Sequence, residues 1–188
     1  MILLEKKTLN STQHFPGHFL LTQRLLSVMN STSRIVNVSS IHHIRGRLVL
    51  EDMNYEHRPY DPIDAYCASK LANVHFTREL AKRLKESNSK ITTYVLNPGT
   101  INTALTRHIQ GIQAIIFSLI GKLFNLDIQS GVQTTLHCVL ESRDRLKSGG
   151  YYSNCCQNNC LFDESTNSKI SKTLWELSTH LTKVDKML

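Results

Sequence analysis

The chain has 188 residues, enough for one domain with a sizeable core, and its 40% hydrophobic and 20% charged residues are ordinary for a globular protein. No apolar run reaches the ~18 residues of a membrane span, and the opening Met1-Ile-Leu-Leu-Glu-Lys-Lys is too short in apolar residues for a signal peptide. The formal net charge is +7, but the basic clusters Arg45/Arg47, Lys82/Arg83/Lys85 and Arg143/Arg145/Lys147 are separated by acids and lack interleaved aromatics, so no nucleic-acid partner is expected.

Residues 18–29 carry Leu21, Leu25, Val28 and Met29 at helical spacing and predict an amphipathic helix. The β-branched run at residues 34–39 reads as a short buried strand, and residues 41–61 as a polar connection containing Gly and Pro. Asp61 as N-cap and Pro62 at the first helical position open a long helix to about Glu86. Phe76, Leu80 and Leu84 share one face of it, with Glu79/Arg83 as a supporting i,i+4 pair. Residues 91–96 form a second strand, ended by Asn97-Pro98-Gly99. Residues 109–126 are an apolar helical patch and 131–141 another helix. Residues 150–153 are a short strand, and 167–183 a final helix around Leu174, Trp175, Leu177 and Leu181. This alternation belongs to a parallel α/β sheet, in which ligands bind at the carboxyl ends of the strands. Ser39/Ser40 and Pro98-Gly99-Thr100 stand at those ends.

The five cysteines match no zinc template; Cys155, Cys156 and Cys160 lie close together without a partner His pair, and reduced intracellular thiols are the expectation. Asn10, Asn30 and Asn37 head Asn-x-Ser/Thr triplets, but Asn37 falls inside the first strand, which argues against glycosylation. His42 and His43 read as loop residues, and Cys67, Cys138 and Trp175 as packing residues.

Tyr66-Cys-Ala-Ser-Lys70 carries the chemistry. Four residues apart on a helix, Tyr66 and Lys70 share a face. A phenol titrates near pH 10, and a neighbouring ammonium favours the phenolate, so the pair suits acid–base work on an alcohol or carbonyl.

Three stretches come in order: Ile35-Val-Asn-Val-Ser-Ser40, then Tyr66-Cys-Ala-Ser-Lys-Leu-Ala-Asn-Val74 with Phe76-Thr-Arg-Glu-Leu80, then Asn97-Pro-Gly-Thr-Ile-Asn-Thr103. Together they resemble the short-chain dehydrogenase/reductase family, in its retinol-dehydrogenase-like branch. Gly17-His-Phe-Leu-Leu-Thr22, Arg107-His108, Gly150-Tyr-Tyr-Ser and Leu174-Trp-Glu-Leu-Ser178 extend the resemblance over residues 14–182. It implies Tyr66 as the acid–base, Lys70 as its partner that also touches the nicotinamide ribose, and Ser40 as the hydrogen-bond donor to the substrate oxygen, with Ser39 as its structural neighbour. It also implies that Tyr66, Lys70, Pro98, Gly99, Ile101 and Thr103 hold the cofactor.

None of the eight glycines forms the family's Gly-rich turn after a strand, and His14 stands where the family has the Asn of a proton relay. The resemblance therefore implies an α/β fold: the C-terminal part of a Rossmann-like doubly wound parallel sheet, lacking the N-terminal Gly-rich strands. Residues 1–13 read as a divergent leader and 14–188 as a partial catalytic domain. Without its family neighbour, the strand at 34–39 becomes a sheet edge, open to pairing or aggregation.

The function so implied is hydride transfer between NADP(H), with NAD left open, and a small lipophilic alcohol or carbonyl such as a retinoid. The alternative is an inactive fragment that pairs with a full-length relative. Residues 109–126 read either as a lid that touches a membrane surface or as core packing. Homo- or hetero-oligomers are both compatible, and the resemblance places the protein in the cytoplasm or at the endoplasmic-reticulum membrane surface.

Overall fold

A computed structural model describes residues 14–99, 128–158 and 163–184. The elements, in chain order, are α1 (His14–Leu25), β1 (Arg34–Val38), α2 (Pro62–Glu86), β2 (Thr92–Asn97), α3 (Ile128–Leu140), β3 (Tyr151–Ser153), β4 (Cys156–Gln157), α4 (Asp163–Thr166) and α5 (Ser168–Thr182). The boundaries follow local chemistry. The Asp61 carboxylate accepts the Ile63 and Asp64 amides at 2.8 Å, satisfying two orphan donors at the start of α2. Asn167 caps α5 in the same way.

The sheet runs β1-β2-β3-β4, with the first three strands parallel and β4 antiparallel to β3. The last pairing was not legible in the sequence. It closes through Asn154-Cys155, both at positive φ, the two-residue turn whose twist matches a hairpin.

Alternation along the strands sorts side chains to two faces. On one face Ile35 joins Phe15 and Phe19 of α1, Phe76, Leu80 and Leu84 of α2, and Leu174 and Trp175 of α5. Four aromatic rings form its centre, with centroids 5.0 Å apart for Phe19–Trp175 and 5.8 Å for Phe76–Trp175. On the other face Val36, Tyr94, Leu96 and Tyr152 pack with Cys138 of α3 and Leu146. Cys67, Cys138 and Trp175 are all buried, as their packing roles require.

The apolar face expected for the first helix is not the one that packs. Leu21, Leu25 and Val28 are exposed, and Phe15, Phe19, Thr22 and Gln23 turn inward. The helix already includes His14, four residues before its leucines suggest, and its Phe15/Phe19 stripe meets Phe76 and buries larger rings. Met29 does pack against this core. On α5, Leu174 and Trp175 are buried but Leu181 is exposed, its place on the core face taken by Ser178.

β1 is the terminal strand among the described residues. Thr92 N–H donates to the Ser33 carbonyl and Ser39 N–H to the Leu96 carbonyl, so odd-numbered residues bond to β2. The amides of Arg34, Val36 and Val38 therefore face the open edge.

Candidate functional site

The carboxyl ends of β1 and β2 carry or adjoin the described members of the sequence-derived set, Ser40, Tyr66, Lys70, Pro98 and Gly99. Ser39 extends the ladder one residue past β1, and its Oγ donates to the Lys70 carbonyl at 2.7 Å, tying the strand end to α2. Ser40 follows in extended conformation and caps the short 3-10 turn Ile41–Arg45, its Oγ accepting the His42 amide at 3.3 Å. That turn is pressed onto α2 beside Tyr66. A Cβ added at Gly46 would lie 2.5 Å from the Cys67 carbonyl oxygen, so only glycine permits the approach. The His42 ring then stands edge-on to the Tyr66 ring, with centroids 6.1 Å apart.

Tyr66 and Lys70 are half-buried on one face of α2, with Lys70 Nζ 5.5 Å from the centre of the Tyr66 ring. Nζ donates to the Val38 carbonyl at 3.4 Å, a long bond for a cation. Burial pulls the Lys70 ammonium below its ordinary pKa. The site therefore holds a desolvated cation beside a phenol and a buried serine hydroxyl, which suits binding and proton transfer at a polarised oxygen.

Three further residues shape this end of the sheet. Asn73 lies three residues after Lys70 on the same face of α2. Its Nδ2 donates to the Val38 carbonyl at 3.0 Å, while its buried Oδ1 has no hydrogen-bond partner among the described residues. The spacing 66, 70, 73 marks it in the sequence once Tyr66 and Lys70 are chosen. Asn97 closes β2, and its Oδ1 accepts the Ile41 amide at 3.2 Å and the Gly99 amide at 3.3 Å. Its Nδ2 donates to Ser153 Oγ at 3.3 Å, so one side chain laces three strand ends. His43 is buried within its 3-10 turn, with Nδ1 2.7 Å from the Ser40 carbonyl. A carbonyl only accepts, so Nδ1 carries the proton, and burial holds the ring pKa below the usual value. Its place in a connection hid this structural role.

Pro98 and Gly99 leave β2 at this same end, and Gly99 has φ +84°, a left-handed conformation suited to glycine. Ile101, Thr103 and the apolar patch at 109–126 lie outside the described residues. Among the described residues no group of three His, Cys, Asp or Glu side chains could hold a metal ion. Cys67, Cys138, Cys155 and Cys156 are free thiols. Asn37 is buried, with Nδ2 bonded to Thr77 Oγ1 at 2.9 Å, which leaves it inaccessible to glycosylation.

Comparison with known proteins matches residues 10–113 to the short chain dehydrogenase family. The chain is 39% identical over 170 residues to human retinol dehydrogenase 12, covering 88% of this chain and 51% of that protein. It is 40% identical over 169 residues to human retinol dehydrogenase 11, with the same coverage of each chain. It thus spans about half the length of the curated relatives it matches. A crystal structure of an uncharacterized protein from Mycobacterium paratuberculosis superposes with a TM-score of 0.72 at 30% identity, over 93% of this chain and 59% of that one.

Proposed function

The chain belongs to the short chain dehydrogenase family, and we propose that it carries the acid–base half of an oxidoreductase site acting on an alcohol or carbonyl, with a retinoid as substrate and NADP(H) as hydride carrier. The observation that carries this reading is the grouping of Ser40, Tyr66 and Lys70 at one end of β1, Ser40 and Lys70 through the Ser39–Lys70 and His42–Ser40 hydrogen bonds and the Val38 carbonyl, and Tyr66 through its ring contacts with His42 and Lys70. The retinoid is favoured by the similarity to retinol dehydrogenases 11 and 12, and NADP over NAD rests on that branch alone.

A nicotinamide, when bound, supplies or accepts the hydride. The chain's own residues handle the proton. Tyr66 Oη gives it to the carbonyl oxygen in reduction and takes it from the hydroxyl in oxidation, and Ser40 Oγ donates a hydrogen bond to that oxygen. Lys70 places its charge beside the phenol and favours its ionised form. The residues present fit the nicotinamide-ribose end of the cofactor. Lys70 has an ammonium drawn out of water with one long bond to spend, and Pro98, Gly99, Ile101 and Thr103 belong to the stretch leaving β2. The adenosine and pyrophosphate end would be held by backbone amides at a helix N-terminus.

A second reading, a catalytically idle chain that acts by pairing with a full-length relative, is favoured by one feature. The outer edge of β1 has no strand partner among the described residues, and α1 and α3, on opposite faces of the sheet, expose Leu21, Leu25, Val132, Leu136 and Val139. Contact with a membrane surface through residues 109–126 and residence in the cytoplasm or at the endoplasmic-reticulum surface belong to the first reading as proposals. Among the described residues no helix is long and apolar enough to cross a membrane.

NADPH fluorescence titrated with the purified chain separates the two. The first reading expects NADPH to bind and turnover to rise when a relative's front half is added. Addition of that half without any gain in turnover would leave the pairing reading alone.

A further inference from the structure

Basic residues that lie far apart in the sequence meet at the end of the sheet opposite the candidate site. Lys82 and Lys85 from the last turns of α2, Lys90 from the turn before β2, and Arg143 and Lys147 from the connection between α3 and β3 line one broad, open cleft of about 860 Å³. Arg78 stands in its wall. We propose that this cleft binds a compact polyphosphate group, either a free polyphosphate or the phosphorylated headgroup of a lipid.

Ordinary solvation explains these residues poorly. The carbonyl end of α2 attracts cations, which accounts for Lys82 and Lys85 but not for Lys90, Arg143 and Lys147 on other elements, nor for Arg78 two turns earlier. Among the described residues that line the cleft there is no Asp or Glu. Glu86 pairs with Lys82 at 3.8 Å, yet both are well exposed, so the pair neutralises little. Arg143 donates to the carbonyls of Ser31, Lys90 and Ser33, which fixes the guanidinium in place and leaves its charge intact. Arg78 is half-buried, and burial lowers its pKa, with no carboxylate paired to it among the described residues. Cations drawn out of water normally meet an anion. Several cations spread over an open cleft suit clustered phosphates, and among the described lining residues there is no aromatic side chain to stack a base, which disfavours nucleic acid. Because β1 and β2 run from this cleft to Ser40 and Asn97, the inference stands apart from the proposed hydride transfer.

Calorimetric titration of the full 188-residue chain with sodium tripolyphosphate tests it. The double variant Lys85→Gln/Lys147→Gln removes two exposed lysines from the cleft, and Arg45→Gln/Arg47→Gln removes the same charge from the third basic cluster. The cleft pair should weaken binding by about tenfold or more, and the control pair by no more than about twofold. Equal losses in the two variants, or no binding by the parent chain, would overturn the proposal. Co-sedimentation with phosphatidylcholine vesicles doped with phosphatidylinositol bisphosphate then separates the sources. Vesicle binding that tripolyphosphate displaces, and that the cleft pair abolishes, supports a headgroup; tripolyphosphate binding with vesicles ignored supports a free polyphosphate. Vesicle binding indifferent to the cleft pair counts against the cleft altogether.

Discussion

The two helical layers on the sheet differ in kind. The layer of α1, α2 and α5 encloses an apolar core of Phe15, Phe19, Phe76, Leu80, Leu174 and Trp175, nearly sealed from solvent. The opposite layer is represented by α3, which buries Cys138 and Thr134 but leaves Val132, Leu136 and Val139 more than two-fifths exposed. All the candidate acid–base groups on helices sit on α2, in the thick layer, and none on α3. Site geometry therefore draws on the larger core, and among the described residues α3 adds a smaller core around Cys138 and no candidate acid–base group.

The largest expected effect lies at the centre of the thick layer. Phe76 touches the rings of Phe15, Phe19 and Trp175, and Phe76→Ala should lower stability by roughly 3–5 kcal/mol in urea unfolding. A loss near that of a surface substitution would mean that the ring cluster is not the source of stability.

A pH effect follows from the same layer. His75 is fully buried between α2 and α5, with Nδ1 2.8 Å from Ser171 Oγ. Its pKa is held down at about 4, by burial first and then by Arg78 and His43. The unfolded chain binds this proton near pH 6.5 and the folded one does not, so stability is complete above pH 6.5 and falls as the pH drops toward 4. Between pH 7.5 and 5.5 this one group removes on the order of 1 kcal/mol. His43, also shifted down, adds loss of the same sign. His75→Gln should flatten the profile by about that amount, read from urea midpoints at the two pH values. An unchanged slope would place the pH sensitivity elsewhere.

The smallest effect belongs to the thin layer. Leu136→Gln and Val139→Gln should each change stability by no more than ~0.5 kcal/mol. A loss of 2 kcal/mol or more, of the order of a core truncation, would show that α3 is covered in solution and remove the contrast between the layers.

Much of this arrangement was legible in the sequence because it depends on local chemistry. Asp61 and Pro62 mark the start of α2, the β-branched runs mark β1 and β2, and the Tyr66–Lys70 spacing sets a helical face. What was hidden depends on neighbours. Leu21, Leu25, Phe15 and Phe19 all have helical spacing, and which stripe turns inward is decided by Phe76 and Trp175, which lie far along the chain. Asn73 and Asn97 look like ordinary polar residues until the Val38 carbonyl and the Ile41 amide are brought beside them. The basic clusters, dispersed in the sequence, converge only because α2 and the α3–β3 connection end at the same edge of the sheet.

The role of Tyr66 as proton carrier is tested most directly by hydride transfer, followed as NADPH oxidation with all-trans-retinal, in the chain joined to the front half of a retinol dehydrogenase. Phe keeps the ring and removes the transferable proton, so Tyr66→Phe should cut the rate by ~100-fold or more and leave NADPH affinity nearly unchanged. Lys70→Met should lose activity and NADPH affinity together. A Tyr66→Phe protein that keeps more than about a tenth of the parent rate, below even the usual contribution of a general acid, would contradict the assignment of Tyr66.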